Sequence, residues 1–144
     1  MKFLSYLGLL FMTCTLMTSC GADFEGQSVE EYIETNNLVT TELAEGVHII
    51  INTPGNGQMP PNVDTRVFVN YSGMLTDGTV FDANDNIDFL LRNVIRGWQV
   101  GIRAMSKGSS ATLIIPPSAG YGSTGQGSIP PNAVLIFDVD LLDF

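Results

Sequence analysis

The sequence predicts an α+β domain in which an antiparallel sheet curls over one helix. Three observations predict it. From Val47 onward apolar residues recur with a period of two, in short runs separated by Gly, Pro, Asn and Asp clusters. One segment breaks that pattern with helical spacing, Trp98, Ile102 and Met105 falling at i, i+4 and i+7. The apolar faces of the runs then need that helix for burial. A shorter helix and an export signal precede the domain.

The first twenty residues are a different material from the rest. Lys2 gives a positive start, Phe3 to Met17 carries no charge, and Met17-Thr18-Ser19-Cys20 has the form of a lipobox. Cys20 is therefore expected to be the lipidated first residue after processing. The apolar run is too short to cross a bilayer comfortably. Cys14 lies inside the leader, which leaves Cys20 without a disulfide partner. The chain divides into a signal at 1–19, a tether and short helix at 20–45, and a domain at 46–144. Asp23 and Glu25 after the lipobox resemble a surface-export signal of some bacterial lipoproteins.

The elements follow in order. Ser28 with Glu31 forms a capping box, and Val29, Tyr32 and Ile33 share a face, so a helix over 29–36 ends at Asn36-Asn37. Two turns are marginal alone, so this helix should pack on its own domain. Val47 to Ile51 reads as a strand closed by the turn cluster Thr53 to Gly57. Arg66 to Tyr71 alternates, with Val67, Val69 and Tyr71 on one face. Asp77-Gly78 is a hairpin signal that returns the chain through Val80 and Phe81.

Asp82 to Asn93 reads as a working loop with a short strand around Ile87–Leu91. The helix follows, with Gln99 and Arg103 outside and Gly108 as its stop. Ala111 to Ile115 is the next strand. A second working loop runs from Pro116-Pro117 to Pro130-Pro131, stiff at both ends and glycine-rich between. In the last strand, Val134 to Leu141, the residues Leu135, Phe137, Val139 and Leu141 face one way.

Charge and absences bound the chemistry. Fifteen acids against six bases give a net charge of −9, which argues against nucleic acid and against adsorption to anionic lipid by charge. The one histidine, His48, is expected on a solvated strand face. No His, Cys or carboxylate cluster suggests a metal or cofactor. The glycine loop lacks the lysine of a phosphate cradle. Asp138 and Asp140 alternate on one strand face, as a carboxylate dyad or, more commonly, a wet outer face. What remains is aromatic. Tyr71, Phe81, Trp98 and Tyr121 stand at element ends or in a loop, and Phe137 lies on the last strand, around one carboxylate, Asp82. Any one of them alone is more often core than site; together they describe a dry pocket.

Four stretches carry a resemblance. Val69 to Asp82 reads VNYSGMLTDGTVFD, Val94 to Trp98 reads VIRGW, Gly120 to Gly122 reads GYG, and Ile129 to Leu142 reads IPPNAVLIFDVDLL. In type and order they resemble an FKBP-type peptidyl-prolyl cis–trans isomerase, over roughly Gly46 to Phe144. The resemblance implies a half-open antiparallel sheet wrapped around one short helix, with a proline pocket between them. By motif, Trp98 would floor the proline ring and Tyr71, Phe81 and Phe137 would wall it. Val94 and Ile95 would form the rim, the Ile95 amide binding a substrate carbonyl. Tyr121 would offer its hydroxyl to the peptide, Ile129 would close the far side, and Asp82 would sit near the carbonyl before proline.

The implied partners are X–Pro segments of unfolded or nascent exported proteins, with macrolide inhibitors as further ligands and no cofactor. The implied location is the cell envelope, anchored by lipid at Cys20 to the outer membrane, on its periplasmic or surface face. A holdase or proline-peptide binding module without turnover is the alternative, and an anchored spacer a third. The chain departs from the small eukaryotic members in places. The span between Asp82 and Val94 is shorter, and Ala83 to Leu91 carries no basic residue. Leu90-Leu91-Arg92-Asn93 replaces the usual Leu-Gly before the rim. Polar Ser128 precedes Ile129 in a shortened loop. These bear on macrolide binding and on the residue preferred before proline.

Overall fold

The structure, a computed structural model, describes residues 26–144. The expected signal at 1–19 with Cys14, the expected lipidation site Cys20 and the start of the expected tether lie outside the described residues. Six strands form one antiparallel sheet: β1 (Thr41–Glu42), β2 (His48–Thr53), β3 (Arg66–Leu75), β4 (Val80–Leu90), β5 (Ser110–Ile115) and β6 (Leu135–Asp143). Their spatial order is β1-β2-β5-β6-β3-β4. Helix α1 spans Val29–Thr35 and helix α2 spans Arg96–Arg103.

Alternation decides the inner face. Val67, Val69 and Tyr71 on β3, Leu113 on β5, and Leu135, Phe137, Val139 and Leu141 on β6 are buried in one core with Trp98 and Ile102 of α2. Helix α2 lies on that face at unusually short range. A Cβ on Gly97 would fall within 3.0 Å of the Ile115 side chain, and one on Gly101 would stand 2.6 Å from Leu113 Cδ1. The two glycines sit one turn apart, so their bare backbone rests on β5 and lets the helix approach.

The outer face is covered in part. Val29 of α1 packs with Ile114, Val134 and Ile136, and half-buried Tyr32, Ile33 and Met74 join them. The short helix thus docks on its own domain, as expected from its length. The Ser28 hydroxyl caps it by accepting from the Glu31 amide at 3.1 Å. Beyond the reach of α1 the same face is wet. Asp138 accepts from Thr112 Oγ1 at 2.6 Å and Asp140 from Asn70 Nδ2 at 3.3 Å, both carboxylates exposed. His48, on β2 opposite Ile114, is half-buried and pairs through Nδ1 with Thr40 Oγ1 at 2.8 Å.

The hairpin at Asp77-Gly78 is present. Gly78 has φ +84°, Leu75 and Thr79 close the turn at 2.9 Å, and Thr79 N–H donates to Asp77 Oδ1. That bond holds the Asp77 carboxyl below its ordinary range.

Three expectations need correction. Asp82 to Asn93 is mostly strand rather than loop: β4 runs unbroken from Val80 to Leu90. It reads as polar because its outward residues meet solvent along an edge, while its backbone pairs with β3. Two register shifts interrupt that pairing. At the one between Asn84 and Ile87, Asn86 takes φ +51° and its N–H donates to Asn70 Oδ1 at 2.8 Å. Helix α2 ends at Arg103, five residues before Gly108, which instead turns the chain into β5 at φ +81°. Met105 is buried yet lies beyond the helix. The two-residue strand β1 was not anticipated.

Gly97→Ala tests the close approach of α2. At an open helix position the change would stabilise by up to about 1 kcal/mol. Overpacking against Ile115 should instead make it destabilising, by about 1–3 kcal/mol, as read from the urea midpoint.

Candidate active site

A cavity of about 360 Å³ opens between α2 and strands β3, β4 and β6. Its floor is Trp98, in the first turn of α2 and 4% exposed. Three rings meet the indole: Tyr71 at 5.1 Å and 88°, Phe137 at 5.3 Å and 84°, and Phe89 at 5.6 Å and 88°. All three contacts are edge-to-face, the arrangement that the ring quadrupoles favour. Phe81 adds a further edge contact to Phe137 at 5.5 Å and 85°. This wall exists because position 73 on β3 carries no side chain. A Cβ there would stand 2.6 Å from Phe137 Cε1 and 2.7 Å from Phe81 Cε2.

The rim comes from the connection into α2. Val94 and Ile95 are half-buried at the cavity edge, and Ile95 is the N-cap residue with extended backbone at φ −56° and ψ 154°. Its N–H makes no hydrogen bond among the described residues. Gln99, one turn along the helix, donates to the Val94 carbonyl at 2.9 Å and pins this backbone. Opposite stands Tyr121, in the turn after Pro117–Ala119. Its carbonyl accepts from Gly125 N–H at 3.2 Å, and Gly122 N–H reaches Pro117 O at 2.9 Å, so the loop is tied to itself.

One charge belongs to the cavity lining, the carboxylate of Asp82. Its Oδ2 accepts from the Tyr71 hydroxyl at 2.6 Å. Asn84 Nδ2 donates to the same hydroxyl at 3.0 Å, and lies 3.4 Å from Asp82 Oδ1. The Tyr71 oxygen is thus engaged as both donor and acceptor. Burial foremost, then the bond to Asp82, raises the Tyr71 phenol above its ordinary range. Burial and the Asp82 charge raise Tyr121 likewise. Both phenols therefore stay protonated across the neutral range. The indole Nε1 of Trp98 is buried without a hydrogen-bond partner among the described residues.

Of the residues singled out from sequence, Tyr71, Phe81, Asp82, Val94, Ile95, Trp98, Tyr121 and Phe137 all line this cavity. Ile129 does not. It is 8% exposed and packed in the core behind the loop, its backbone bridged to Gln126. Phe89, Asn93 and Gln126 line the cavity and were missed. Phe89 carried a signal: Ile87 and Phe89 alternate with Asp88 in the short strand expected there, the mark of one strand face. Asn93 and Gln126 carried none, since nothing local aims a loop amide at a pocket. The arrangement can enclose an apolar group against rings and offer it Tyr121 and the Ile95 amide. A nucleophile with an adjacent base is not part of it.

Residues 57–142 match the family model described as FKBP-type peptidyl-prolyl cis-trans isomerase. The FKBP-type isomerase FkpA of Escherichia coli K12 is 38% identical over 123 residues, 83% of this chain and 45% of that protein. FK506-binding protein 1 of Dictyostelium discoideum is 42% identical over 106 residues, 69% of this chain and 98% of that one. Among solved structures, Escherichia coli FkpA superposes with TM-score 0.73 at 38% identity, over 79% of this chain and 56% of that one. A peptidyl-prolyl isomerase from Pseudomonas syringae gives TM-score 0.73 at 33% identity, over 79% and 88%. The chain spans less than half the length of the FkpA relatives it matches. The family model covers more than half of the chain, and with the relatives and the shared fold it shows that the chain belongs to the FKBP-type peptidyl-prolyl cis–trans isomerase family.

Proposed function

We propose that this chain is a peptidyl-prolyl cis–trans isomerase that acts on X–Pro segments of exported proteins. One observation supports it above the others: a cavity of about 360 Å³ floored by an indole and walled by three phenylalanines and a tyrosine, with a single carboxylate. The X–Pro bond turns slowly because rotation breaks amide resonance, at a barrier of about 18–20 kcal/mol. No atom is transferred, so no nucleophile or metal is needed. The planar amide carries separated charge that water solvates; the twisted amide carries less on its oxygen. Rings that exclude water withhold that solvation and favour the twisted form. Preferential stabilisation by about 5 kcal/mol gives nearly 10⁴-fold in rate.

Each residue then has a part. Trp98 receives the proline ring, and Phe81, Phe89 and Phe137 hold it. The Ile95 amide and the Tyr121 hydroxyl anchor carbonyls on either side of the turning bond and fix the flanking chain in a bent geometry. Tyr71 is the wall whose own hydroxyl is spent on Asp82. Asp82 keeps that ring in place and faces the residue before proline. Macrolides with a proline-like ring are the ligands that would compete.

A protease-coupled assay on proline peptides checks the activity. Phe81→Ala should lower kcat/KM by about 10- to 100-fold with the fold retained, since Phe81 is only half-buried. Trp98→Ala should abolish turnover but also cost about 3–5 kcal/mol of stability. Turnover at the uncatalysed rate with tight peptide binding would reassign the chain to a binding module or holdase.

The pH profile separates this reading from acid–base catalysis. With both phenols raised, kcat/KM on a neutral peptide should stay level from neutral pH to near 10, with no bell. The stability that the neutral, buried phenols contribute is complete below the ordinary tyrosine value of 10.0 and is lost as pH climbs through their raised values. A urea-midpoint series across that range reads it.

The location is part of the same proposal. The lipobox at Cys20 supports an anchor in the outer membrane, with the domain in the envelope or at the cell surface. Labelling with radioactive palmitate should mark the wild-type chain, and Cys20→Ser should lose the label and leave the membrane fraction.

A further inference from the structure

We infer that the pocket favours X–Pro segments with a lysine or arginine beside the proline, through the uncompensated carboxylate of Asp82. This rests on the proline-pocket reading above and names its substrate class.

Four of the five described lysines and arginines are held by carboxylates. Arg66 is held by Asp88, Arg92 by Asp64 at 3.0 Å, Arg96 by Glu45 at 2.7 Å, and Lys107 by Asp143 at 2.5 Å. Arg96 is the cation nearest the rim in sequence, and its guanidinium is drawn onto Glu45 and Gln99. Arg103 is at the far end of α2, about 10–12 Å along the helix axis from the rim. None of the residues lining the cavity is basic. The donors that reach Asp82 are a phenol and an amide, Tyr71 and Asn84, and both are neutral.

The carboxylate therefore faces the bound peptide with its full charge. It lines the cavity and is exposed to solvent. Neighbouring acids reinforce it. Asp85 on the same strand and Asp138 and Asp140 across the sheet line a shallow cleft on the other side of Tyr71. The whole chain is at −9. A cationic side chain flanking the proline gains from this field, and an acidic one loses. Between unit charges roughly 7 Å apart, at an effective dielectric constant of about 40–80 for a carboxylate this exposed, the effect is about three- to eightfold in kcat/KM. Salt should erase most of it, because the screening length falls to about 3 Å at 1 M.

The test compares peptides that differ only in Lys, Leu or Glu before proline, on the full-length chain in neutral detergent. At about 20 mM ionic strength the Lys–Pro peptide should exceed Glu–Pro by roughly tenfold, shrinking below about twofold at 1 M salt. Asp82→Asn keeps an acceptor for Tyr71 and removes the charge; the Lys-to-Glu ratio should fall by at least about threefold. Asn84→Lys, which sets a cation against Asp82, should lower the ratio as well. Because each ratio is taken within one protein, loss of overall activity in a variant does not obscure it. Equal rates for Lys and Glu in the wild type at low salt overturn the inference. So does a ratio that persists in Asp82→Asn, which would assign the field to net charge. If no peptide is turned over, the isomerase reading fails by itself. Titration of Trp98 fluorescence, from the single tryptophan of the chain, then decides whether Lys–Pro still binds more tightly than Glu–Pro.

Discussion

The Trp98 indole is met edge-on by Tyr71, Phe89 and Phe137, and this cluster stands where helix, sheet and cavity join. The same rings close the core from one side and floor the cavity from the other. The cluster forms only because α2 can lie directly on β5, where Gly97 and Gly101 present no side chain to Ile115 and Leu113. A thicker contact would lift the indole away from β3 and β6. Gly73 plays the matching part on the sheet, leaving room for Phe81 and Phe137 to touch. Three missing side chains thus set the position of five rings.

What the rings leave open is as specific as what they fill. Stability would be served by closing the hollow with one more apolar side chain, since exposed aromatic surface costs about 25 cal/mol per Å². The chain instead holds a cavity and places at its mouth a bonded tyrosine, a second tyrosine and a backbone N–H without a partner among the described residues. Polar groups are few and are held by neighbours on rigid elements: Tyr71 by Asp82 and Asn84, and the Val94 carbonyl by Gln99. Such a site suits chemistry that needs a low-dielectric setting and a fixed shape.

The two faces of the sheet divide the work. The inner face carries the cavity. The outer one is covered by α1 over Ile114, Val134 and Ile136 and is wet at Asp138 and Asp140. At the β4 edge, outward polar residues and a bulge at Asn86 interrupt a regular hydrogen-bonding edge that could otherwise template another strand. That bulge also turns Asn84 toward the Tyr71 hydroxyl, so edge protection and site support share a few residues.

Periodicity alone determined that this chain makes an antiparallel sheet with one buried helix. The inner faces of β3 and β6 followed from the same pattern, with Val67, Val69 and Tyr71 on one and Leu135, Phe137, Val139 and Leu141 on the other. A period-two or helical repeat is a local property, and burial of one face follows from it without knowledge of neighbours. Order of motif made eight cavity residues legible, because family likeness stores a tertiary arrangement that composition does not. The rest was decided by three-dimensional packing. Asp82 to Asn93 looked like a loop because its outward residues are polar; pairing to β3 made most of it a strand. Ile129 reads as a pocket wall but is buried behind the loop, since Gly125 and Gln126 fold back over it. The Asn84 bond to Tyr71 joins residues thirteen apart across a bulge, and the aim of a surface amide depends on that bulge rather than on any repeat. Where a contact is set by neighbours along the chain, sequence suffices; where it is set by the register of one strand on another, only the folded molecule can decide.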